Sequence, residues 1–176
     1  MKSVTIFFFL GALVTNSALA ERADRDKPVH LESDRATVEN AARSNNKDRT
    51  SVFTGNVVLT QGTLIIRSDK MVVKENEDGF QNVIAYGNLA SFRQKRDGMN
   101  EYIEGWGERM EYDSKADKVE LFKQARLRRG ADEVHGEYIS YEATTEFFQV
   151  NNGAKTKTNS ESRVRAVIQP KKKKHN

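Results

Sequence analysis

The side chains able to do chemistry are three histidines, 25 carboxylates and no cysteine. His30, His135 and His175 lie far apart and lack the spacing of metal-ligand pairs, so they read as structural or solvated histidines. The missing cysteine excludes a thiol nucleophile, thiolate metal sites and disulfides. No Gly-x-Ser-x-Gly elbow, phosphate-cradling glycine loop or His-Glu-x-x-His helix occurs. Gly105-Trp106-Gly107 is a strand or turn feature. Nothing marks any two carboxylates as a catalytic pair, so a glycosidase is unsupported. Trp106 could stack on a sugar or pack in a core or loop. These residues point to no catalytic group, no cofactor and no metal.

Aromatic and methionine positions say more. Phe53, Met71, Phe92, Met110, Tyr112 and Tyr141 all lie in strand-like segments. They are either ordinary core, or a core open along one side that receives an apolar ligand. Methionine and aromatic rings adapt well to variable alkyl shapes. Both readings stand at this point.

The elements that must position these residues are short β-branched and aromatic runs, broken every several residues by Gly, Asn or Asp. Val57-Val58-Leu59-Thr60, Met71-Val72-Val73 and Val83-Ile84-Ala85-Tyr86 are examples. This spacing predicts an all-β sandwich, barrel or solenoid. Residues 34–44 are the best candidate for a turn or two of helix. The prolines, Pro28 and Pro170, bracket the region.

The chain also repeats itself. A small residue, an acid and then alternating apolar positions recur as Ser33-Asp34-Arg35-Ala36-Thr37-Val38 and Ser68-Asp69-Lys70-Met71-Val72-Val73. Further copies are Gly107-Glu108-Arg109-Met110-Glu111-Tyr112 and Gly136-Glu137-Tyr138-Ile139-Ser140-Tyr141. A second element aligns Phe53-Thr54-Gly55-Asn56-Val57 with Ala85-Tyr86-Gly87-Asn88-Leu89, with a weaker copy at Leu121-Phe122-Lys123-Gln124-Ala125. Alternation puts Ala36, Met71, Met110 and Ile139 on one face with Val38, Val73, Tyr112 and Tyr141. The acids Asp34, Asp69, Glu108 and Glu137 read as rim or turn residues at strand starts. Units of this size bury an apolar face only by stacking.

Residues 1–20 read as a cleavable signal peptide: Lys2, an apolar Val4–Val14, then Ala18-Leu19-Ala20. Cleavage leaves 156 residues, enough for one domain, with no further apolar run able to span a bilayer. The formal charge of +4 belongs to the ends. Arg163, Arg165 and Lys171–Lys174 supply six positive charges, and residues 21–162 carry −3. No basic face remains for nucleic acid. The divisions are a lead-in at 21–27, a domain at 28–155 and a polar, then basic, flexible tail at 156–176.

Pro28-Val29-His30-Leu31-Glu32-Ser33-Asp34, Phe53 to Thr63, Ser68 to Val73, Tyr86-Gly87-Asn88 and Gly136 to Tyr141 together resemble the LptA (OstA-like) family of lipopolysaccharide-transport proteins. The likeness covers roughly residues 26–150. It implies a slightly twisted, V-shaped β-jelly roll of many short antiparallel strands. It also implies a periplasmic bridge carrying lipopolysaccharide, by its lipid A, from an inner-membrane LptC-like component to an outer-membrane LptD-like component, with head-to-tail self-association. Val29, Phe92 and Tyr112 match family positions that contact lipid; with Phe53, Met71 and Met110 they are the candidate lipid-binding set. The candidate edges are near residues 28–33 and 147–150. The chain departs from the family in a longer loop at Asn40 to Arg49. The alternative is a periplasmic polysaccharide-binding or structural β-solenoid protein, with a polar groove lined by exposed aromatics.

Overall fold

The computed structural model describes residues 24–40, 49–152 and 163–170. The signal-peptide segment and Lys171–Lys174 lie outside the described residues. The described chain is ten strands with one 3-10 turn and no α-helix.

The strands are β1 (His30–Glu32), β2 (Arg35–Asn40), β3 (Arg49–Gln61), β4 (Leu64–Asn76) and β5 (Gly79–Lys95). They continue as β6 (Tyr102–Asp113), β7 (Lys118–Arg129), β8 (Asp132–Glu142), β9 (Phe147–Asn151) and β10 (Arg165–Val167). All pairings are antiparallel, and β3 to β8 form a meander. The start of β3 pairs with β2 and its end with β1, while the start of β8 pairs with β10 and its end with β9.

Every pairing from β3 to β8 breaks register near the strand middle, at Thr54/Val57, Arg67/Lys70, Tyr86/Ala90, Trp106/Arg109 and Phe122/Ala125. These breaks divide the sheet into two halves. One runs β2, then the halves of β3 to β8 that include Met71 and Tyr112, then β9. The other runs β1, the halves that include Phe92, then β10. Each long strand is thus two short ones joined through a bulge.

The bulges keep both halves facing one core. In β5 the buried positions are Val83 and Ala85 before the break, then Ala90 and Phe92 after it. Odd positions give way to even ones, because one extra residue exchanges the faces of a strand. Without it, half of each such strand would turn its apolar set to solvent. β3 and β7 bend differently, through two successive left-handed residues, Gly55-Asn56 and Lys123-Gln124.

The repeated motifs occupy these bends. The Asp34 carboxylate accepts from Asn56 Nδ2 at 3.1 Å, Asp69 from the Asn88 amide at 3.2 Å, and Glu108 from Gln124 Nε2 at 2.9 Å. Asp34 stands at a strand start, directly before β2, as expected, whereas Asp69, Glu108 and Glu137 sit mid-strand at bends. The first three acids each tie their own bend to that of the following strand.

Two expectations change. Residues 35–40 of the expected helical segment form β2, because their backbone pairs with β3; residues 41–48, and with them most of the longer loop, lie outside the described residues. β2 is also an edge, so its Ala36 and Val38 are exposed while the corresponding residues of the other three repeats are buried. Residues 165–167, placed in the tail, form β10 against Glu133–His135.

Candidate functional site: the interior between the two half-sheets

A single cluster of buried apolar side chains fills the space between the halves. Met71, Tyr112 and Met110 come from one half and Phe92 from the other. Phe53 and Val29 are partly buried and pack against the cluster. The structure therefore brings all six candidate residues into one contiguous interior.

Phe92 occupies its middle. Gly105 lies opposite it in the β5–β6 pairing, and a Cβ there would overlap both the Phe92 ring and Leu121 of the other half. The glycine clears the space in which the ring reaches Tyr141 on β8, with centroids 6.4 Å apart and planes at 19°. Such a near-parallel offset pair is a favourable aromatic geometry.

Tyr112 is buried and its hydroxyl faces Asp117 at 3.4 Å. Burial pushes its phenol above the ordinary value, with the Asp117 charge adding to the effect. It stays neutral and presents a ring to the interior.

The interior ends at a rim of turns. The β5–β6 turn, from one half, meets the β8–β9 turn, from the other. Arg96 bridges them, bonding Glu146 through Nε at 2.9 Å and Nη2 at 2.7 Å. Its Nη1 bonds Glu101 at 2.6 Å. A second bridge joins Arg25 to Asp117 in the β6–β7 turn at 2.7 Å. Arg25 is held because Asp24 accepts from the Thr63 amide and Gln61 Nε2 donates to the Arg25 and Lys27 carbonyls. Arg96, Glu146, Arg25 and Asp117 carry no sequence motif. Three lie in turns between strands, and the two members of each pair are 50 or more residues apart.

Trp106 is neither core nor an open sugar platform. It sits half-buried on the outer face, with the Arg126 and Arg128 guanidinium groups 4.5 and 5.4 Å from its ring. Among the described residues, no group of three or more His, Asp or Glu is placed to hold a metal ion. His135 pairs with Glu133 at 2.6 Å. No described helix is long and apolar enough to cross a membrane.

What the arrangement can do is hold apolar matter away from water between two hinged half-sheets. The family model for "LptA/(LptD N-terminal domain) LPS transport protein" matches residues 30–147, the span of those half-sheets. The chain belongs to that family. It is 34% identical over 126 residues to the lipopolysaccharide export system protein LptA of Escherichia coli K12, covering 70% of this chain. The match spans 64% of the length of that relative. It is 29% identical over 172 residues to the lipopolysaccharide export system protein LptH of Pseudomonas aeruginosa, covering 96% of this chain and 94% of the relative. The crystal structure of that organism's LptH, described as the LptA-homologous periplasmic component of a lipopolysaccharide transport device, superposes with a TM-score of 0.72. That match covers 84% of this chain and 99% of the crystal chain at 24% identity, which establishes the family's jelly-roll fold here.

Proposed function

We propose that this protein is a non-enzymatic carrier of lipopolysaccharide in the periplasm, and that it holds the acyl chains of lipid A between the two half-sheets. The observation carrying this reading is the single apolar interior lined by Val29, Phe53, Met71, Phe92, Met110 and Tyr112 in a member of a lipopolysaccharide-transport family. Each buried methylene is worth about 0.8 kcal/mol, so a twelve-carbon chain exposed to water costs on the order of 9 kcal/mol. A molecule with several such chains needs a shielded path between membranes. The polysaccharide-binding alternative asks for exposed aromatics along a polar groove, whereas Phe92, Tyr112 and Tyr141 are buried.

The same reading assigns the partners: an inner-membrane LptC-like donor, an outer-membrane LptD-like acceptor and further copies of this chain, head to tail. Its support is the pair of unlike edges. β1 and β2 form one, β9 and β10 the other. Val38 on β2 and Phe147 on β9 stand exposed at 53% and 62%. Unpaired edges invite strand addition, and unlike edges build a filament. Lipopolysaccharide photocrosslinking from the interior, set out at the end of the Discussion, tests the carrier role.

A further inference from the structure

The proposed ligand has to reach an interior whose central residues are sealed, with Phe92 at 1% exposure. Among the described residues, one cleft that leads toward it lies between turns of the two halves. This cleft, of about 200 Å³, opens where the β5–β6 turn meets the β8–β9 turn. Gln94, Arg96, Asp97, Thr144 and Glu146 are among its walls, and Tyr141 is part of its lining. Tyr141 is also the ring stacked on Phe92. The cleft therefore reaches Tyr141, the outer ring of the aromatic pair at the middle of the core.

Both ion pairs described above cross this rim from one half-sheet to the other. Arg96 is held by two carboxylates, and its side chain is only 10% exposed. Arg25–Asp117 stands beside it, and Asp117 also lines the cleft. The opposite side of the sandwich is closed by β3 to β8, whose chain runs unbroken through the bends, so parting the halves there would pull those strands themselves apart. At the rim it breaks side-chain ion pairs. Salt bridges near a surface are weak and exchange readily.

Resting on the carrier reading, we infer that this rim is the portal by which an alkyl chain enters, and that Arg96–Glu146 and Arg25–Asp117 are the latch that holds it shut. Entry then requires the β8–β9 and β5–β6 turns to separate and Tyr141 to swing off Phe92.

The test uses the cysteine-free background. Asp97→Cys and Thr144→Cys place two thiols on exposed walls of the cleft, leaving both latches intact, and a short bismaleimide with a reducible centre ties them. The protein also carries a small photoreactive diazirine amino acid at position 92 and is incubated with purified lipopolysaccharide before irradiation. The bridged protein is expected to lose the lipopolysaccharide adduct at least tenfold, and reduction of the linker to restore it. Each single-thiol protein, capped by the same reagent, keeps the adduct. Separately, Glu146→Gln, which leaves the interior untouched, is expected to speed adduct formation several-fold. An undiminished adduct in the bridged protein overturns the portal and leaves the carrier standing. No adduct in any form overturns both.

Discussion

Phe92 on β5 and Tyr141 on β8 stack across the interior, although their strands are three apart in the sheet and they belong to opposite halves. That contact ties the two half-sheets together at the centre. Phe92→Ala removes it and leaves a cavity, an expected loss of about 3–5 kcal/mol in denaturant unfolding. Gly105→Val acts from the other side, forcing the Phe92 ring aside at an expected cost of about 1–3 kcal/mol. Ser91→Ala, one residue from Phe92 and on the outer face, is expected to change stability by under about 0.5 kcal/mol.

The bends are a second place where one atom decides. Gly55 has φ +81°, and a Cβ there would overlap the Asp34 carboxylate. Gly55→Ala is expected to cost about 1–2 kcal/mol for the left-handed backbone alone, with a further loss from displacing Asp34. Thermal unfolding of Gly55→Ala, Asp34→Ala and the double variant checks this. Coupling between the two sites is expected, because the methyl and the carboxylate compete for one space.

Much of this architecture was legible in the chain. The alternating apolar residues are the buried ones in β4, β6 and β8, and the repeats are the successive strands. Their role as bends was not legible, because a mid-strand bulge and a strand start present the same Ser-Asp or Gly-Glu sequence locally. β2 was ambiguous for a physical reason. Its Ala36 and Val38 are not buried, so no core selects their face, and pairing with β3 alone makes it a strand. The gathering of Met71, Met110 and Tyr112 on one face follows from alternation, whereas Phe92 faces the interior only because the bulge in β5 exchanges the faces of the strand. The rim follows from neither, since Arg96 and Glu146 meet only because the folded sheet places two distant turns together.

The latch gives a pH dependence with a definite sign. The Arg96 guanidinium, by hydrogen bonding, holds the Glu146 carboxyl below its ordinary value of 4.5. A folded-state value below the unfolded one contributes stability that is complete above the unfolded value and lost as pH falls through the folded one. Urea unfolding measured from about pH 6 down to about pH 3 is expected to fall less steeply for Glu146→Gln than for the parent protein. Identical slopes would show that the pair does not bind the rim together. Glu146 is one-third exposed, so the difference is a modest one that high salt reduces.

Self-association is expected to depend on both edges. Val38→Lys on β2 and Phe147→Lys on β9 each place a charge where a neighbouring copy would pair. Sedimentation at rising concentration should show either variant forming shorter assemblies than the parent. Mixing the two should give mainly dimers, joined through the one intact edge of each. Full-length assemblies from either variant alone would place the contact elsewhere.

The measurement bearing most directly on the central claim compares two adjacent residues. A photoreactive diazirine amino acid is placed at position 92 or at position 91, in cells making lipopolysaccharide. Successive residues of a strand face opposite sides of the sheet, so Phe92 points to the interior and Ser91 to the exterior. A lipopolysaccharide adduct from position 92 and little from position 91 is the expected result. Equal adducts from both, or none from position 92 while the protein remains folded, would contradict the carriage of lipid between the half-sheets.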